Sequence, residues 1–219
     1  MAWRDRMITL ITIGQTPRED LLKAFHLGGV KDFQLVGALD DVSQEEIKTL
    51  EKLPGEEKLY VVLKNGMANI HHNIIEQYVK NLIKQYENSS EAIAVLCMSE
   101  FACTSERTPI IYPFNVMTEA AAGIKEDDTT VILVPIEEQL GSAQVKWGNV
   151  KGKKHFAAIH PKSATVLDEI EREIEDHHPT NIIMDCYGFD YELVEKIENK
   201  HHCTCHNVQH LVAKKVKHV

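Results

Sequence analysis

The stretch NIIMDCYGFD, residues 181–190, contains an apolar run from Ile182 to Met184 that ends at Asp185 and Cys186. The stretch EAIAVLCMSEF, residues 91–101, repeats this pattern, because its apolar run ends at Cys97. Short apolar runs bounded by turn residues are typical of buried strands. The repeat predicts two related α/β halves, each with a thiol at the end of a core strand.

Apolar strands alternate with helices along the rest of the chain. Strands are predicted at 7–13, 33–38, 58–63, 92–97, 129–136, 153–160, 180–186 and within 203–208. Helices are predicted at 18–26, 43–52, 70–86, 115–124, 137–147, 163–177, 190–200 and at the end of the chain, and KNGMAN (64–69) is predicted to be a loop. Ser43 and Glu46 have capping-box spacing at the start of the second helix.

This alternation is typical of mostly parallel sheets covered by helices on both faces. The predicted fold class is therefore α/β, with two pseudo-symmetric Rossmann-like lobes of mostly parallel sheet. The lobes are predicted to comprise residues 1–125 and 126–219 and to pack closely. Whether the final helix crosses back to the first lobe is left open.

Composition narrows the function classes. The chain has 219 residues, 43% of them hydrophobic, a net charge of −9 and a pI near 5.7. An acidic chain with scattered basic residues is not expected to bind nucleic acid, and the basic tail KKVKH is interpreted as a solvated helix end. No apolar run approaches the roughly 20 residues that span a bilayer, so no membrane partner is expected. Five cysteines, an odd number, favour reduced thiols and a cytoplasmic location.

Cys97 and Cys186 are the candidate catalytic residues. A thiol in a strand-end loop can lie at a helix amino terminus, where the backbone N–H groups favour the thiolate. A thiolate facing a thiol across a cleft can remove an α-proton while the thiol returns one, without metal or cofactor. Asp185 would oppose a thiolate at Cys186 unless its carboxylate points elsewhere. The alternative interpretation is that each cysteine is a small core residue.

Strand-end loops also supply candidate ligand-binding residues, because ligands of open α/β sheets bind beyond the carboxyl ends of the strands. GQTPR (14–18) has the backbone N–H groups, the hydroxyl and the arginine to hold a carboxylate or phosphate. A well-capped helix explains the same residues equally well. The full set of candidate binding residues is Gln15, Thr16, Arg18, Ser99, Thr104, Gln139, Tyr187 and Gly188.

HHCTCHNVQH, residues 201–210, is the candidate metal-binding stretch. Cys203 and Cys205 would point to the same face of a strand, so that bidentate binding is open, with His206 close by. Structural zinc sites need a second pair of ligands at matching spacing, and none stands out, although His177 and His178 are candidates. A strand with polar flanks is the favoured interpretation, and no metal or cofactor is predicted. A zinc-dependent structural or redox protein is the alternative.

Three longer motifs carry a resemblance to a known family. TIGQTPRED (12–20), VPIEEQLGSAQVKW (134–147) and IIMDCYGFDYELVEKI (182–197) resemble the AroM family of bacteria, and LCMSEFACTS (96–105) resembles its central loop. The resemblance covers essentially the whole chain. That family is in turn similar to the aspartate/glutamate racemase superfamily. The resemblance implies two pseudo-symmetric lobes with an interlobe cleft, and cysteines at equivalent strand ends.

Carried over by position, Cys97 and Cys186 match the two cysteines of that superfamily. Gln15 and Thr16 match its first carboxylate-side loop, and Thr104 lies in the loop after the first cysteine. Amino-acid racemases usually have Asn-Thr after the first cysteine, and Thr-His or Thr-Glu after the second. This chain has Met98-Ser99 and Tyr187-Gly188 there, so amino-acid racemisation itself is not implied.

The resulting expectation is a cofactor-independent racemase, isomerase or decarboxylase that acts on a small carboxylate by cysteine acid–base chemistry. In a one-thiol variant, Cys186 acts alone, with Asp185 or Tyr187. The alternative is a non-catalytic small-molecule binder or regulator on the same fold. A homodimer is left open.

Overall fold

The computed structural model describes residues 7–55 and 57–218. These residues form two compact units. One comprises the described residues up to Phe114 together with those from Val212 onward, and the other comprises Asn115–Leu211.

The first unit is built on a four-stranded parallel sheet. Its strands are β1 (Met7–Thr12), β2 (Phe33–Gly37), β5 (Ser90–Val95) and β6 (Ile110–Ile111), in the spatial order β2-β1-β5-β6. A separate hairpin contains β3 (Lys58–Leu63) and β4 (Gly66–His71), and the helices are α1 (Glu19–Leu27), α2 (Gln44–Leu50) and α3 (His72–Tyr86). Ile11 pairs with Val95 in the centre of the sheet, and both pack against the buried face of α3 at Ile75 and Val79.

The second unit has its own four-stranded parallel sheet. Its strands are β7 (Thr129–Val134), β8 (Lys153–Ala158), β9 (Asn181–Met184) and β10 (Thr204–Asn207), in the order β10-β9-β7-β8. The helices of this part of the chain are α4 (Pro113–Ala121), α5 (Leu140–Lys146), α6 (Val166–His177), α7 (Glu192–Lys200) and α8 (Val208–Val216), with a 3₁₀ turn at Glu137–Gln139. Ile182 and Met184 pack against Ile170 and Leu193 of the covering helices.

The two sheets have the same topology. When the strands of each sheet are numbered in chain order, both sheets read 2-1-3-4, and all their pairings are parallel. The predicted α/β class with mostly parallel sheets is confirmed. Within the described residues, no helix is both long enough and apolar enough to cross a membrane.

The prediction of a loop at KNGMAN is wrong. Residues 66–71 form β4, which pairs antiparallel with β3 in a register that sets Leu63 opposite Gly66. Asn-Gly between two strand-like runs is a hairpin signal, and Gly66 has φ +118°, a conformation that favours glycine. The buried residues Ala68 and Ile70 alternate with more exposed neighbours, as in a strand. Ile70 therefore follows the two-residue period of a strand and not the helical period predicted for it, and α3 begins only at His72.

Candidate functional site

Cys97 and Cys186 occupy equivalent positions in the two sheets. β5 and β9 are each the third strand of their sheet in chain order, and each cysteine comes two residues after the end of its strand. Cys97 is 9% exposed, whereas Cys186 is partly exposed. Identical strand order and identical offset give both thiols the same place in their units, at the carboxyl edge of a parallel sheet.

The loop after Cys186 brings a backbone donor to the sulfur. Gly188 N–H donates to Cys186 Sγ at 3.3 Å. A Cβ at position 188 would lie 3.4 Å from that sulfur and 3.1 Å from Cγ of Pro161, in the loop after β8. Gly188 therefore allows the backbone to approach the thiol closely. An N–H donor at this distance favours negative charge on sulfur, as a proton-abstracting thiolate requires.

The carboxylate of Asp185 is directed to two partners in the same unit. Its Oδ1 accepts from Lys146 Nζ at 2.7 Å, and its Oδ2 accepts from the indole Nε1 of Trp147, also at 2.7 Å. Asp185 is 5% exposed and Trp147 is 1% exposed. The ammonium group of Lys146 compensates the carboxylate charge, so Asp185 does not confront Cys186 with an unpaired negative charge.

Sequence reasoning missed Lys146 and Trp147. Both lie in the motif at 134–147, but the motif suggested a family and gave no role to its last two residues. The available signal was Asp185, which directly follows a predicted core strand. A buried carboxylate at such a position needs a cationic or N–H partner somewhere in the chain.

The loop after Cys97 is held by α3. His72 Nε2 donates to the carbonyl of Glu100 at 2.7 Å, and its ring stacks on Phe101 with centroids 4.9 Å apart. The backbone N–H of Ala102 donates to Glu76 Oε1 at 2.6 Å. These contacts fix residues 100–102, immediately after the thiol, on the first two turns of the helix.

Two hydroxyl groups of this loop are available to a ligand. Ser99 is partly exposed and Thr104 is exposed. Within residues 7–55 and 57–218, neither hydroxyl has a hydrogen-bond partner. By contrast, Cys103 is buried, and its burial together with the carboxylate of Glu76 raises the pKa of its thiol. Cys103 is therefore poorly suited to acid–base chemistry.

Gln15 is committed to the architecture of its loop. Its Nε2 donates to the carbonyls of Leu39 at 2.9 Å and Val42 at 3.1 Å, and its Oε1 accepts from Lys64 N at 3.1 Å. The side chain is buried. These bonds tie the β1–α1 loop to the segment after β2 and to the hairpin turn, so the amide positions the loop.

Thr16 is fixed by Asp40, which sequence reasoning missed. Asp40 accepts from Thr16 N at 2.7 Å and from Thr16 Oγ1 at 3.0 Å, and it also accepts from Gly37 N at 2.7 Å. A Cβ at Gly37 would lie 2.6 Å from Asp40 Oδ1 and 2.7 Å from the carbonyl of Gly14. Gly37 thus permits a close approach between the β1–α1 loop and the segment after β2, at the carboxyl ends of the two strands.

Arg18 forms a bidentate ion pair within its own loop. Its Nε and Nη2 donate to the two carboxylate oxygens of Asp20 at 2.8 and 2.9 Å. The pair orients the guanidinium group at the start of α1. Because β1 and β5 are neighbouring parallel strands, this loop and the Cys97 loop meet at the same edge of the first sheet.

The remaining candidates lie in the second unit. Gln139 ends the 3₁₀ turn and is partly exposed, and its backbone carbonyl accepts from the hydroxyl of Ser142 at 3.1 Å.

Tyr187 is 4% exposed, and its backbone carbonyl accepts from Gln209 Nε2 at 2.8 Å. Burial raises the pKa of its hydroxyl well above the usual value. That hydroxyl has no hydrogen-bond partner among the described residues. The β7 and β9 loops meet at one edge of this sheet, because the two strands are parallel neighbours.

The candidate metal-binding residues lie on and beside β10. Within the described part of the chain, no group of three or more His, Cys, Asp or Glu side chains is arranged to hold a metal ion. The neighbouring thiol of Cys205 lowers the pKa of Cys203, whereas the interaction with Cys203, burial and the carboxylate of Glu198 raise the pKa of Cys205. His206 Nε2 instead contacts Asn181 Oδ1 at 3.1 Å, and burial lowers its pKa. His206 therefore does not join the two thiols.

Comparison with known proteins gives a family and a fold. The family model described as AroM protein matches residues 8–218. Comparison with curated proteins gave no match. Allantoin racemase from Klebsiella pneumoniae superposes with a TM-score of 0.63 at 11% identity, over 97% of this chain and 86% of that one. Aspartate racemase from Picrophilus torridus gives 0.57 at 12% identity, over 96% and 92%.

A liganded mutant of arylmalonate decarboxylase also superposes, with a TM-score of 0.57 at 11% identity, over 96% of this chain and 92% of that one. At these identities the likeness shows a shared fold. The fold is therefore that of the aspartate/glutamate racemase-like proteins, as the sequence motifs predict.

Proposed function

The chain belongs to the AroM family, and we propose that it is a cofactor-independent racemase or isomerase of a small carboxylate, with Cys97 and Cys186 as its acid–base residues. The observation that carries this proposal is the equivalent position of the two thiols, each two residues beyond the third strand of a parallel sheet with 2-1-3-4 order. The racemases and the decarboxylase that share the fold support the reaction class.

The proposed reaction consists of two proton transfers at one carbon. A thiolate takes the α-proton of the substrate and becomes a thiol, and the second thiol gives its proton to the opposite face of the same carbon. Each turnover exchanges the roles of the two thiols, so the next one acts on the opposite enantiomer or follows re-equilibration of the thiol protons with water, and no oxidant, metal or cofactor is consumed. The Gly188 N–H at 3.3 Å from the sulfur stabilises Cys186 as the thiolate in one of these states.

Binding of the substrate carboxylate is assigned to hydroxyl and backbone groups near the strand ends. Ser99 and Thr104 have hydroxyls without partners among the described residues, so they can donate to a ligand at no cost to the fold. Gln15 and Thr16 act indirectly, because their side chains already hold the β1–α1 loop in shape. Arg18 lies beside that loop, where Asp20 compensates the charge of its guanidinium group, so it contributes less to carboxylate binding than an unpaired arginine would.

A one-thiol reaction is the second candidate, and unequal exposure of the thiols favours it. Cys186 is partly exposed and has a backbone donor on its sulfur, whereas Cys97 is 9% exposed. In this form, Cys186 protonates a carbanion left by decarboxylation or by enolisation. Replacing Cys186 then abolishes turnover, while Cys97→Ser retains most of it.

Proton exchange in heavy water tests both forms. Amino acids, 2-hydroxy acids and substituted malonates are incubated with wild-type protein and with Cys97→Ser, Cys186→Ser and the control Cys103→Ser, and α-deuteration or loss of CO₂ is followed by NMR. General acid–base catalysis contributes roughly 10²–10⁴-fold, so loss of a catalytic thiol is expected to slow turnover by at least about 10²-fold. Cys103→Ser is expected to react like wild type.

Four results distinguish the hypotheses. Loss of turnover in both variants supports the two-thiol reaction, and loss in Cys186→Ser alone supports the one-thiol reaction. Equal turnover in all variants contradicts both. Tight binding of a carboxylate without turnover, unchanged in either cysteine variant, supports a non-catalytic binder or regulator. The cytoplasmic location and the homodimer stay predictions from the sequence.

A further inference from the structure

Two buried amide side chains hold the loop after Cys186, and the proposed reaction gives neither of them a role. They belong to Asn207, the last residue of β10, and Gln209, in the first turn of α8, and these residues are 2% and 1% exposed. Gln209 Nε2 donates to the backbone carbonyl of Tyr187 at 2.8 Å, and Asn207 Nδ2 donates to that of Phe189 at 3.2 Å. Asn207 Oδ1 accepts from Gln209 N at 3.0 Å, so the start of α8 is itself fixed.

The carbonyl of Tyr187 and the N–H of Gly188 belong to one peptide group. In a planar trans peptide group, the carbonyl and the N–H point in opposite directions. At one end the carbonyl accepts from Gln209, and at the other the N–H donates to Cys186 Sγ at 3.3 Å. We infer that Gln209 is a positioning residue for Cys186, because it orients and polarises the peptide group whose N–H stabilises the thiolate. These two hydrogen bonds and the peptide group between them are called the Gln209 relay.

Two properties of the Gln209 relay explain why a buried glutamine suits this position. A carbonyl only accepts hydrogen bonds, so the group facing Tyr187 has to be a donor, and an amide donates without adding charge. Hydrogen bonds in a chain also polarise one another, which makes the Gly188 N–H a stronger donor to sulfur. Gln209 and Tyr187 are 1% and 4% exposed, so water competes little with the bond between them.

Replacing Gln209 by methionine removes the donor and leaves the surrounding charges in place. The segments in contact with the loop carry several charged or titratable side chains, namely Asp185 and Asp190 on its own segment, Lys146 on α5, His160 and Lys162 beside Pro161, Cys205 on β10 and His210 on α8. All of them are retained in Gln209→Met, and both glutamine and methionine are neutral. A change in the acidity of the Cys186 thiol in this variant is therefore due to the relay.

The pH dependence of alkylation at Cys186 tests the relay without a substrate. The full chain reacts with iodoacetamide over about pH 5–10, and mass spectrometry of the peptide that contains Cys186 gives the rate at each pH. The pH at which the rate is half-maximal reports the acidity of the thiol. A neutral hydrogen bond contributes a factor of about 3–10 to an equilibrium, so Gln209→Met is expected to raise this midpoint by about 0.5–1 pH unit.

The midpoint distinguishes the relay from a purely structural role of Gln209. A role confined to stability lowers the free energy of unfolding and leaves the midpoint unchanged. Ser43→Ala removes the hydrogen bonds of the α2 cap in the first unit and is the control for a lost hydrogen bond. It is expected to keep the wild-type midpoint. Circular dichroism verifies the fold of each variant.

NMR of the wild-type protein tests the relay even if Gln209→Met is unfolded. Ionisation of Cys186 is expected to shift the amide proton of Gly188 and the side-chain amide protons of Gln209 with one common midpoint, because both groups belong to the same chain of hydrogen bonds. Both shifts are expected to be absent from Cys186→Ser.

Two outcomes overturn the inference. One is a folded Gln209→Met protein whose midpoint equals that of wild type. The other is a wild-type protein in which the side-chain amide of Gln209 does not respond to ionisation of Cys186.

The inference rests on the proposed function only for the importance of Cys186, since neither measurement uses a substrate. If the relay is overturned while Cys186→Ser still abolishes turnover, the proposed function stands without it. If the midpoint shifts as expected but turnover is equal in all the cysteine variants, the relay stands and the proposed function is contradicted.

Discussion

Replacing Asp185 by asparagine tests whether its carboxylate is held by Lys146 and Trp147 as the structure describes. The carboxylate accepts from both residues at 2.7 Å and is 5% exposed. A hydrogen bond to a charged group contributes about 1.5–3 kcal/mol net, and a buried donor left unpaired costs about 1–3 kcal/mol. The Lys146 side chain is 19% exposed and can turn to water, so its share is discounted to at most about 1 kcal/mol.

These magnitudes give the expected change in the free energy of unfolding. An asparagine oxygen can still accept from Trp147 Nε1, so Asp185→Asn is expected to destabilise the protein by about 2 kcal/mol. Asp185→Ala leaves the buried indole N–H unpaired and is expected to cost about 3–4 kcal/mol. Urea unfolding followed by circular dichroism at neutral pH measures both values. The control is Gln144→Ala, an exposed change on α5, the helix that carries Lys146. Its free energy of unfolding is expected to stay within about 0.5 kcal/mol of wild type.

A double-mutant cycle isolates the Asp185–Trp147 bond. Trp147→Phe removes the N–H and keeps most of the ring, and its combination with Asp185→Ala is expected to show a coupling of about 1–2 kcal/mol. A coupling near zero, or a change below about 0.5 kcal/mol for Asp185→Ala alone, would refute the argument. Lys146→Met should leave the carboxylate charge uncompensated and slow the alkylation of Cys186 by iodoacetamide several-fold.

Three further predictions concern the stability of the fold. Gly37→Ala places a Cβ 2.6 Å from Asp40 Oδ1 and is expected to lower the free energy of unfolding by about 1–3 kcal/mol. Gly141→Ala, on α5, meets no atom within 4 Å and is expected to be neutral or stabilising by up to about 1 kcal/mol. Urea unfolding measures both variants. Ser43→Ala removes the observed capping box of α2 and is expected to cost about 1 kcal/mol in a thermal melt. Burial, His177 and Lys153 lower the pKa of His155, so the unfolded chain takes up a proton near pH 6.5 before the fold does, and stability is lost as pH falls below about 6.5. His155→Phe is expected to reduce this loss in urea unfolding at pH 5–7, and a slope unchanged from wild type would contradict the assignment.

The fold could be predicted because its signals are local. Buried parallel strands such as β5, β7 and β9 are continuous apolar runs, and the turn residues that bound them are visible in the sequence. The capping box at Ser43 was predicted for the same reason, since both partners lie within one helical turn. The sequence did not predict the hairpin because Ile70 fits two patterns. It is compatible with a strand that ends at His71 and with a helix that begins at Ile70, two residues before the observed start of α3. Only pairing with Leu59, eleven residues away, decides between them.

The candidate site likewise combines positions that local sequence predicts with long-range contacts that it does not predict. The positions of Cys97 and Cys186 follow from the ends of their own strands, so the sequence was sufficient to predict them. The contacts that set the charge beside Cys186 and the shape of the β1–α1 loop come from elsewhere in the chain. Lys146 and Trp147 reach Asp185 across 39 and 38 residues, and Asp40 holds Thr16 across 24. From sequence alone, the carboxylate of Asp185 is expected to destabilise a thiolate at the adjacent Cys186. The ion pair with Lys146, which compensates the carboxylate charge, reverses that expectation. Local sequence thus indicates where a candidate reactive group lies, whereas its charge state depends on long-range contacts that hydrophobic periodicity does not encode.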